Sequence, residues 1–265
     1  MIRAVFAREL RGSLGALAVV SASLACCAVA IASMFSPETA RMLEDLKAAM
    51  PELYDAFGMS NDTSTLTGFL LNYLYGFLFT LGPLALTLLA VSRSAVRPAA
   101  TGELANVLAS PHSKSSVAAS IAAAVIASVL AATAISGLAA VIAAEALFPG
   151  VLDLAAMARV NLGLLAFQLF MAGICLLSAL ALRRPSAALW AGGGLCLAEY
   201  LVQMVAQISG TESWGRFLTF FSLFDPYALA ASDAGAIGAA VCLALLGAAL
   251  TAGAVAAFSR RDLCL

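Results

Sequence analysis

Residues 116–145 read SVAASIAAAVIASVLAATAISGLAAVIAAE, with no charged side chain before Glu145. A helix that crosses a bilayer needs roughly 20 consecutive apolar residues, and uncharged runs of about 18 or more are read as membrane spans. Five more long apolar runs flank this one, at about 13–35, 66–91, 158–182, 187–208 and 234–258. The chain of 265 residues is 63% hydrophobic and only 11% charged, well outside the ordinary globular range. The expected fold class is an all-α membrane protein with six transmembrane helices. They form a single transmembrane domain over residues 1–265 and leave no room for a second soluble domain.

Arg3, Arg8 and Arg11 precede the first run, and Ala30-Ile31-Ala32 resembles a signal-peptidase site. The run from Ser13 to Phe35 is longer than a signal-peptide core, and five spans follow, so it is read as a retained span. Charge sets the orientation. Arg3, Arg8, Arg11, Arg93, Arg97, Lys114, Arg183, Arg184, Arg260 and Arg261 all fall on one side, against Arg41, Lys47, Arg159 and Arg216 on the other. Both termini are therefore expected in the cytoplasm. The acidic residues Glu38, Glu44, Asp45, Glu52, Asp55 and Asp62 crowd the first outer loop, in keeping with that orientation.

Three short segments are amphipathic rather than uniformly apolar. Ile2, Val5, Phe6 and Leu10 share a helical face, with Arg3 and Glu9 off it, which predicts a short N-terminal interfacial helix before the chain turns into the first span. From Pro37 to Phe57, Met42, Leu46 and Met50 recur at spacing four, with Leu43 and Leu53 close to the same side, which predicts a surface helix in the outer loop. Phe217 to Phe224 reads FLTFFSLF, too short to span and too apolar for a free loop. It is read as an interfacial or re-entrant segment, flanked by Trp214 and Tyr227.

Small residues recur at spacing four in two spans: Ser120, Ala124, Ser128, Ala132, Ser136 and Ala140 in the third, and Ala236, Ala240, Ala244, Ala248, Ala252 and Ala256 in the sixth. Such residues let helix backbones approach. A step of four drifts by about 40° against the 3.6-residue turn, so neither stripe is expected to hold a single face. Pro83 is expected to kink the second span.

Glu199 lies in the middle of the fifth span, where a charged group costs about 2.5 to 3.5 kcal/mol on the insertion scale. Gln203 and Gln207 follow at spacing four, which makes one polar face, and Asn72 and Gln168 are candidate partners on other spans. Two readings stand side by side: a lining for a translocation path or proton-sensitive gate, and a neutral glutamic acid hydrogen-bonded between helices. No lysine or arginine lies deep in any span to pair with it.

Several chemistries lack their residues. The cysteines are Cys26, Cys27, Cys175, Cys196, Cys242 and Cys264, without a CxxC pair, and His112 is the sole histidine, so no metal site is expected. No GxxxxGK[ST] occurs and the only lysines are Lys47 and Lys114, so this chain has no nucleotide-binding domain or phosphate loop. HExxH, GxSxG and paired intramembrane aspartates are absent, and no basic aromatic patch suggests nucleic acid. What remains is a channel, a transporter or a membrane scaffold.

The loop Ser92–Ser115 discriminates among them. It reads SRSAVRPAATGELANVLASPHSKS, and in TGELANVLASP the residues Leu104, Val107 and Leu108 share a helical face that Pro111 ends. A short helix with an apolar face suits docking of a partner. The segment resembles the coupling region between the second and third spans of type-2 ABC transporter permeases, E-G-T-L-E-x-L-L-A-T-P-V-S-R. Gly102, Leu104, Leu108, Ala109 and Pro111 match as they stand, and Thr101 and Ala105 replace two glutamates of that pattern. The tail Phe258-Ser259-Arg260-Arg261-Asp262-Leu263 is similar to the family's F-x-R-R-D ending, and Phe6-Ala7-Arg8-Glu9-Leu10-Arg11 to its N-terminal helix.

The resemblance implies a permease in the bacterial cytoplasmic membrane that pairs with a second permease chain, identical or not. Two separate ATPase subunits, which carry the ATP and Mg, would dock on the N-terminal helix (Val5, Phe6, Glu9, Leu10) and on the cytoplasmic coupling helix (Gly102, Leu104, Val107, Leu108, Pro111). No cofactor is expected on this chain. The Ala- and Gly-rich spans suggest export of a hydrophobic or amphipathic molecule: a peptide, a drug or a lipid-like compound. The alternatives are a proton-driven secondary transporter using Glu199 and a scaffold that moves nothing.

Overall fold

The computed structural model describes residues 2–56, 63–102, 112–182, 184–208 and 219–260. Six helices among them are long and apolar enough to cross a membrane, and the chain is a multi-pass membrane protein. The first is α1 (Arg3–Ser33), followed by the short helices α2 (Pro37–Ala49) and α3 (Pro51–Ala56). The second, Leu66–Thr101, comprises α4 (Leu66–Leu70), α5 (Leu78–Val91) and α6 (Arg97–Thr101), with π-helical turns at Leu71–Tyr75 and Ser92–Val96. The third is α7 (Lys114–Leu147) and the fourth α8 (Leu154–Ala181). The fifth joins α9 (Pro185–Leu189) to α10 (Leu195–Ile208) through a π turn at Trp190–Gly194. A 3₁₀ turn at Phe220–Leu223 and the short α11 (Pro226–Ala230) lead into the sixth, α12 (Ala234–Ser259).

Side-chain caps explain where these helices begin. Ser36, Thr65, Ser113, Asp153, Asp225 and Asp233 each accept a backbone N–H from the first turn that follows. A cap of this kind satisfies a donor the helix itself leaves open, and a carboxylate also favours the positive end of the helix dipole. Capping starts α7 and α8 a few residues before the apolar runs do.

One expectation needs correction. No turn separates an N-terminal interfacial helix from the first span, because α1 is continuous over its 31 residues. Val5, Phe6, Glu9 and Leu10 are half-buried on its first turns. Nothing in Gly12-Ser13-Leu14-Gly15 breaks it, since Ser13 turns its hydroxyl back onto the Leu10 carbonyl (2.9 Å) and shares a buried hydrogen bond with Ser128 (2.7 Å). The outer-loop helix, by contrast, is divided in two at Met50–Pro51, with Met42, Leu46, Met50 and Leu53 all exposed.

The ends of the helices sort by charge. The Ile2 amide donates to Ser120 Oγ (2.7 Å), and the Ser13–Ser128 bond lies further along, so α1 and α7 run parallel from one end. The Arg93 guanidinium packs over Gly12, where an alanine Cβ would meet it at 3.1 Å. The α9 helix, which follows Arg184, packs on the Ser92–Val96 turn and on α6. Arg3, Arg8, Arg11, Arg93, Arg97, Lys114 and Arg184 therefore gather at one end, here called the basic end. Arg183, Arg216 and Arg261 lie outside the described residues.

The fourth helix is the centre of the bundle. It packs against α5, α7, α9, α11 and α12. Its crossing with α12 is backbone on backbone: a Cβ at Gly247 would lie 2.8 Å from the Leu169 carbonyl carbon and the Phe170 nitrogen, and one at Gly173 would lie 2.9 Å from the Gly247 oxygen. The small-residue stripe of α7 is buried at all six positions, although it drifts around the helix. Different neighbours (α1, α5, α8 and α12) cover successive parts of it. The stripe of α12 behaves otherwise, with Ala248, Ala252 and Ala256 exposed while Gly247, Leu243 and Phe258 face inward.

Candidate functional site

The polar residues inside the bundle are organised around Pro83. Proline has no N–H and its ring crowds the carbonyl four residues back, here that of Phe79. The helix is interrupted in the turns before it, at Gly76 and Phe77, where Phe77 leaves helical geometry (φ −127°, ψ −59°). The expected kink is thus displaced from the proline toward the preceding π turn. The side-chain amide of Gln168, buried on α8, donates to the freed Phe79 carbonyl (3.1 Å) and to that of Thr80 (2.8 Å). The Thr80 hydroxyl closes the break by donating to the Tyr75 carbonyl (2.7 Å). In hydrocarbon a broken helix persists only where neighbours satisfy its open backbone groups, and Gln168 is such a neighbour.

Two more polar contacts cross the bundle nearby. The buried Asn72 accepts from the Tyr227 hydroxyl (2.9 Å). Tyr75 donates to Asn161 Oδ1 (3.0 Å), whose amide donates in turn to the Met157 carbonyl (2.8 Å). Gly137 on α7 leaves the space that Asn161 occupies, since a Cβ there would collide with its side chain.

The described part of the aromatic segment before the last helix packs against the middle of α8. Phe221 and Phe224 pack on Phe167 with ring centroids 5.1 and 5.4 Å away, and Phe220 packs on Phe170 at 5.3 Å. Phe167 stands thirteen residues past Leu154 in a helix of 28, so the segment reaches about half the length of α8. It then returns toward the start of α8. Leu229 fills the notch at Gly163, and Arg159 donates to the carbonyls of Leu229 (3.1 Å) and Ala230 (2.6 Å) at the end of α11. Asp225 caps the other end of that helix through the amides of Tyr227 and Ala228 (both 3.0 Å). Phe217 and Trp214 lie outside the described residues.

The fifth helix offers a different polar face. Glu199, Gln203 and Gln207 are all half-buried along α10, while Leu197, Leu201, Val202 and Val205 are exposed. Gln203 Oε1 accepts from the Thr219 hydroxyl, just before the aromatic 3₁₀ turn. Tyr200 packs on Phe221 (5.4 Å) and near Phe77 (6.2 Å), which joins this face to the interruption of the second helix. Among the described residues Glu199 Oε2 is buried without a hydrogen-bond partner, as are Gln168 Oε1 and the Tyr200 hydroxyl.

The candidates named from sequence thus separate into two sets. Asn72 and Gln168 are held by Tyr227 and by the Phe79 and Thr80 carbonyls, and Gln168 makes no hydrogen bond to Glu199. Glu199, Gln203 and Gln207 form their own face. Gly102 is the left-handed residue (φ 78°) that ends α6, a conformation glycine adopts without steric cost. Leu104, Val107, Leu108 and Pro111 lie outside the described residues.

Sequence reasoning missed Arg159, Asn161, Gly173 and Gly247. For Gln168 there was a usable signal, since Pro83 leaves the Phe79 carbonyl in need of a donor. No group of metal-ligating side chains occurs among the described residues. No protein-family model matches the chain, and no curated protein matches it.

Proposed function

We propose that the chain is the permease subunit of an ATP-driven exporter of the type-2 ABC kind, moving a hydrophobic or amphipathic molecule. The observation that carries this reading is the second helix. Beyond its interruption it runs from Leu78 to Thr101, roughly 36 Å at 1.5 Å per residue, against a hydrocarbon core of about 30 Å. It stops at Gly102, the second residue of the segment that resembles a coupling helix. A rigid lever of this kind suits transmission of force from a soluble ATPase to the interrupted stretch at Gly76–Phe77. The aromatic segment before the sixth helix supports the same reading, because an apolar outer segment at that position belongs to the layout the family resemblance implies.

On this reading the basic end, with both termini, faces the cytoplasm of a bacterial cell, as a concentration of arginine and lysine favours. Two ATPase subunits bind there with ATP and Mg, and a second permease chain completes the path. The test is co-purification with the ATPase encoded beside this chain. Leu104→Asp with Leu108→Asp is expected to release the ATPase while the permease stays inserted and folded. Co-purification at unchanged yield would sink the docking surface.

A second reading has one observation in its favour, the unpartnered buried oxygen of Glu199. If protons drive transport through it, transport continues without any ATPase and stops in Glu199→Gln.

A further inference from the structure

The π turn that joins α9 to α10 ends in Gly192-Gly193-Gly194, and the first of these glycines sets a close approach. A Cβ at Gly192 would lie 2.8 Å from the Cys175 Cα on α8, and it would collide with the Ser178 hydroxyl, which is folded back onto the Cys175 carbonyl (2.9 Å). The fifth helix therefore meets the fourth backbone to backbone here, inside the separation of about 8–10 Å at which helices ordinarily pack. Cys196 stands four residues past Gly192, one turn along on the same face. Its thiol shares a hydrogen bond with that of Cys175. Both residues are buried, Cys175 at 1% and Cys196 at 0% exposure, and neither is in a disulfide.

As fillers, the two positions could equally hold alanine or valine. Two thiols in contact are the one pairing of small side chains that can join covalently. A disulfide needs Cα atoms no more than about 7 Å apart. Helices held apart by larger side chains do not come so near, and the missing Cβ at Gly192 removes that obstacle.

We propose that Cys175 and Cys196 are a redox-active pair, a modification site that closes as a disulfide between the fourth and fifth helices with hydrogen peroxide as the oxidant. Burial selects the oxidant: a small uncharged molecule can enter between packed helices, and a charged peptide disulfide cannot. One sulfur attacks a peroxide oxygen and the O–O bond breaks. The thiol becomes a sulfenic acid, and its proton leaves with the departing hydroxide as water. The second sulfur then attacks the sulfenic sulfur. The S–S bond forms, the S–O bond breaks, and the second thiol proton leaves with that hydroxide as another water. The two thiols lose two electrons and the peroxide gains them. An isolated buried thiol reacts slowly, but here the second step needs no search, because its partner is already in place. A dithiol reductant reverses the change by exchange. The closed bond ties α10, with Glu199, Gln203 and Gln207, to the central helix, whatever drives transport.

The experiment uses the full chain, kept reduced during purification and reconstituted in phospholipid nanodiscs. It is treated with hydrogen peroxide, quenched, denatured and alkylated with N-ethylmaleimide, then read by intact mass and peptide mapping. Untreated protein is expected to take six labels, one for each cysteine. Treated protein is expected to lose two of them to a mapped Cys175–Cys196 linkage that dithiothreitol reopens. Cys175→Ala and Cys196→Ala, which keep the site apolar, are each expected to form no disulfide under the same treatment. Should either variant fail to fold, the mapped linkage in the wild type decides alone. Six labels on the treated wild type overturn the proposal. So does a disulfide mapped to another pair in its place, or one that still forms in the alanine variants.

Discussion

The fourth and fifth helices carry similar polar residues and use them in opposite ways. In the most apolar window of the fourth, 56% of the residues are buried, against 28% in the fifth. Gln168 at the centre of α8 serves another helix, supplying donors to the Phe79 and Thr80 carbonyls. Glu199 on α10 serves no such backbone among the described residues, although its buried Oε2 and Gln168 Oε1 alike lack a hydrogen-bond partner there. A polar side chain at the hub of the bundle is structural because the backbone around it is broken and needs partners. One at the rim, on a helix whose other face is exposed, serves no broken backbone among the described residues.

The contrast can be broken most forcefully at the hub's closest crossing. Gly247→Leu drives a side chain into the backbone at Leu169 and Phe170, which cannot yield as a flexible side chain does. The expected cost is roughly 3 kcal/mol or more, read as loss of folded protein on thermal denaturation in detergent. A stable Gly247→Leu protein would show that α8 is not the hub.

A smaller and more diagnostic effect is expected at Gln168. Gln168→Leu leaves the Phe79 carbonyl without a donor, at a cost of about 1 to 3 kcal/mol. Pro83→Ala restores an N–H for that carbonyl, so the same substitution in the Pro83→Ala background is expected to cost less by about 1 kcal/mol. Equal costs in the two backgrounds would remove Gln168 from the role of servicing the proline.

The least effect on stability is expected from Glu199→Gln, within about 0.5 kcal/mol, because no hydrogen bond to its Oε2 is lost. Transport altered at unchanged stability would assign the α10 face to the translocation path. Destabilisation as large as that of Gln168→Leu would erase the difference between the two helices.

How legible all this was in the chain depends on distance along it. The six spans could be read because each is a local run whose apolarity alone exceeds what a bilayer crossing requires. The Phe217–Phe224 segment announced itself for the same reason. The break of the second helix was visible through Pro83, but its displacement to Gly76 and Phe77 was not, because the strain is relieved where neighbours can accept it. The polar face of α10 was readable as a spacing of four. The role of Gln168 was readable only by half, since Pro83 announces a carbonyl in need of a donor but the donor stands 89 residues from it. The N-terminal amphipathic pattern was read as a separate helix, yet periodicity over ten residues is blind to whether the helix goes on.

By itself the sequence determined that this protein lives in a membrane, how many times its helices are able to cross, and which ends of those helices carry the positive charge. These follow from transfer free energies that add residue by residue. Only the tertiary structure decided that α8 lies at the centre, that two glycines bring its backbone against α12, that one small-residue stripe is buried while the other is partly exposed, and that Gln168 serves the broken second helix. Those outcomes depend on which surfaces meet, and packing between helices is a property of pairs that no single span contains.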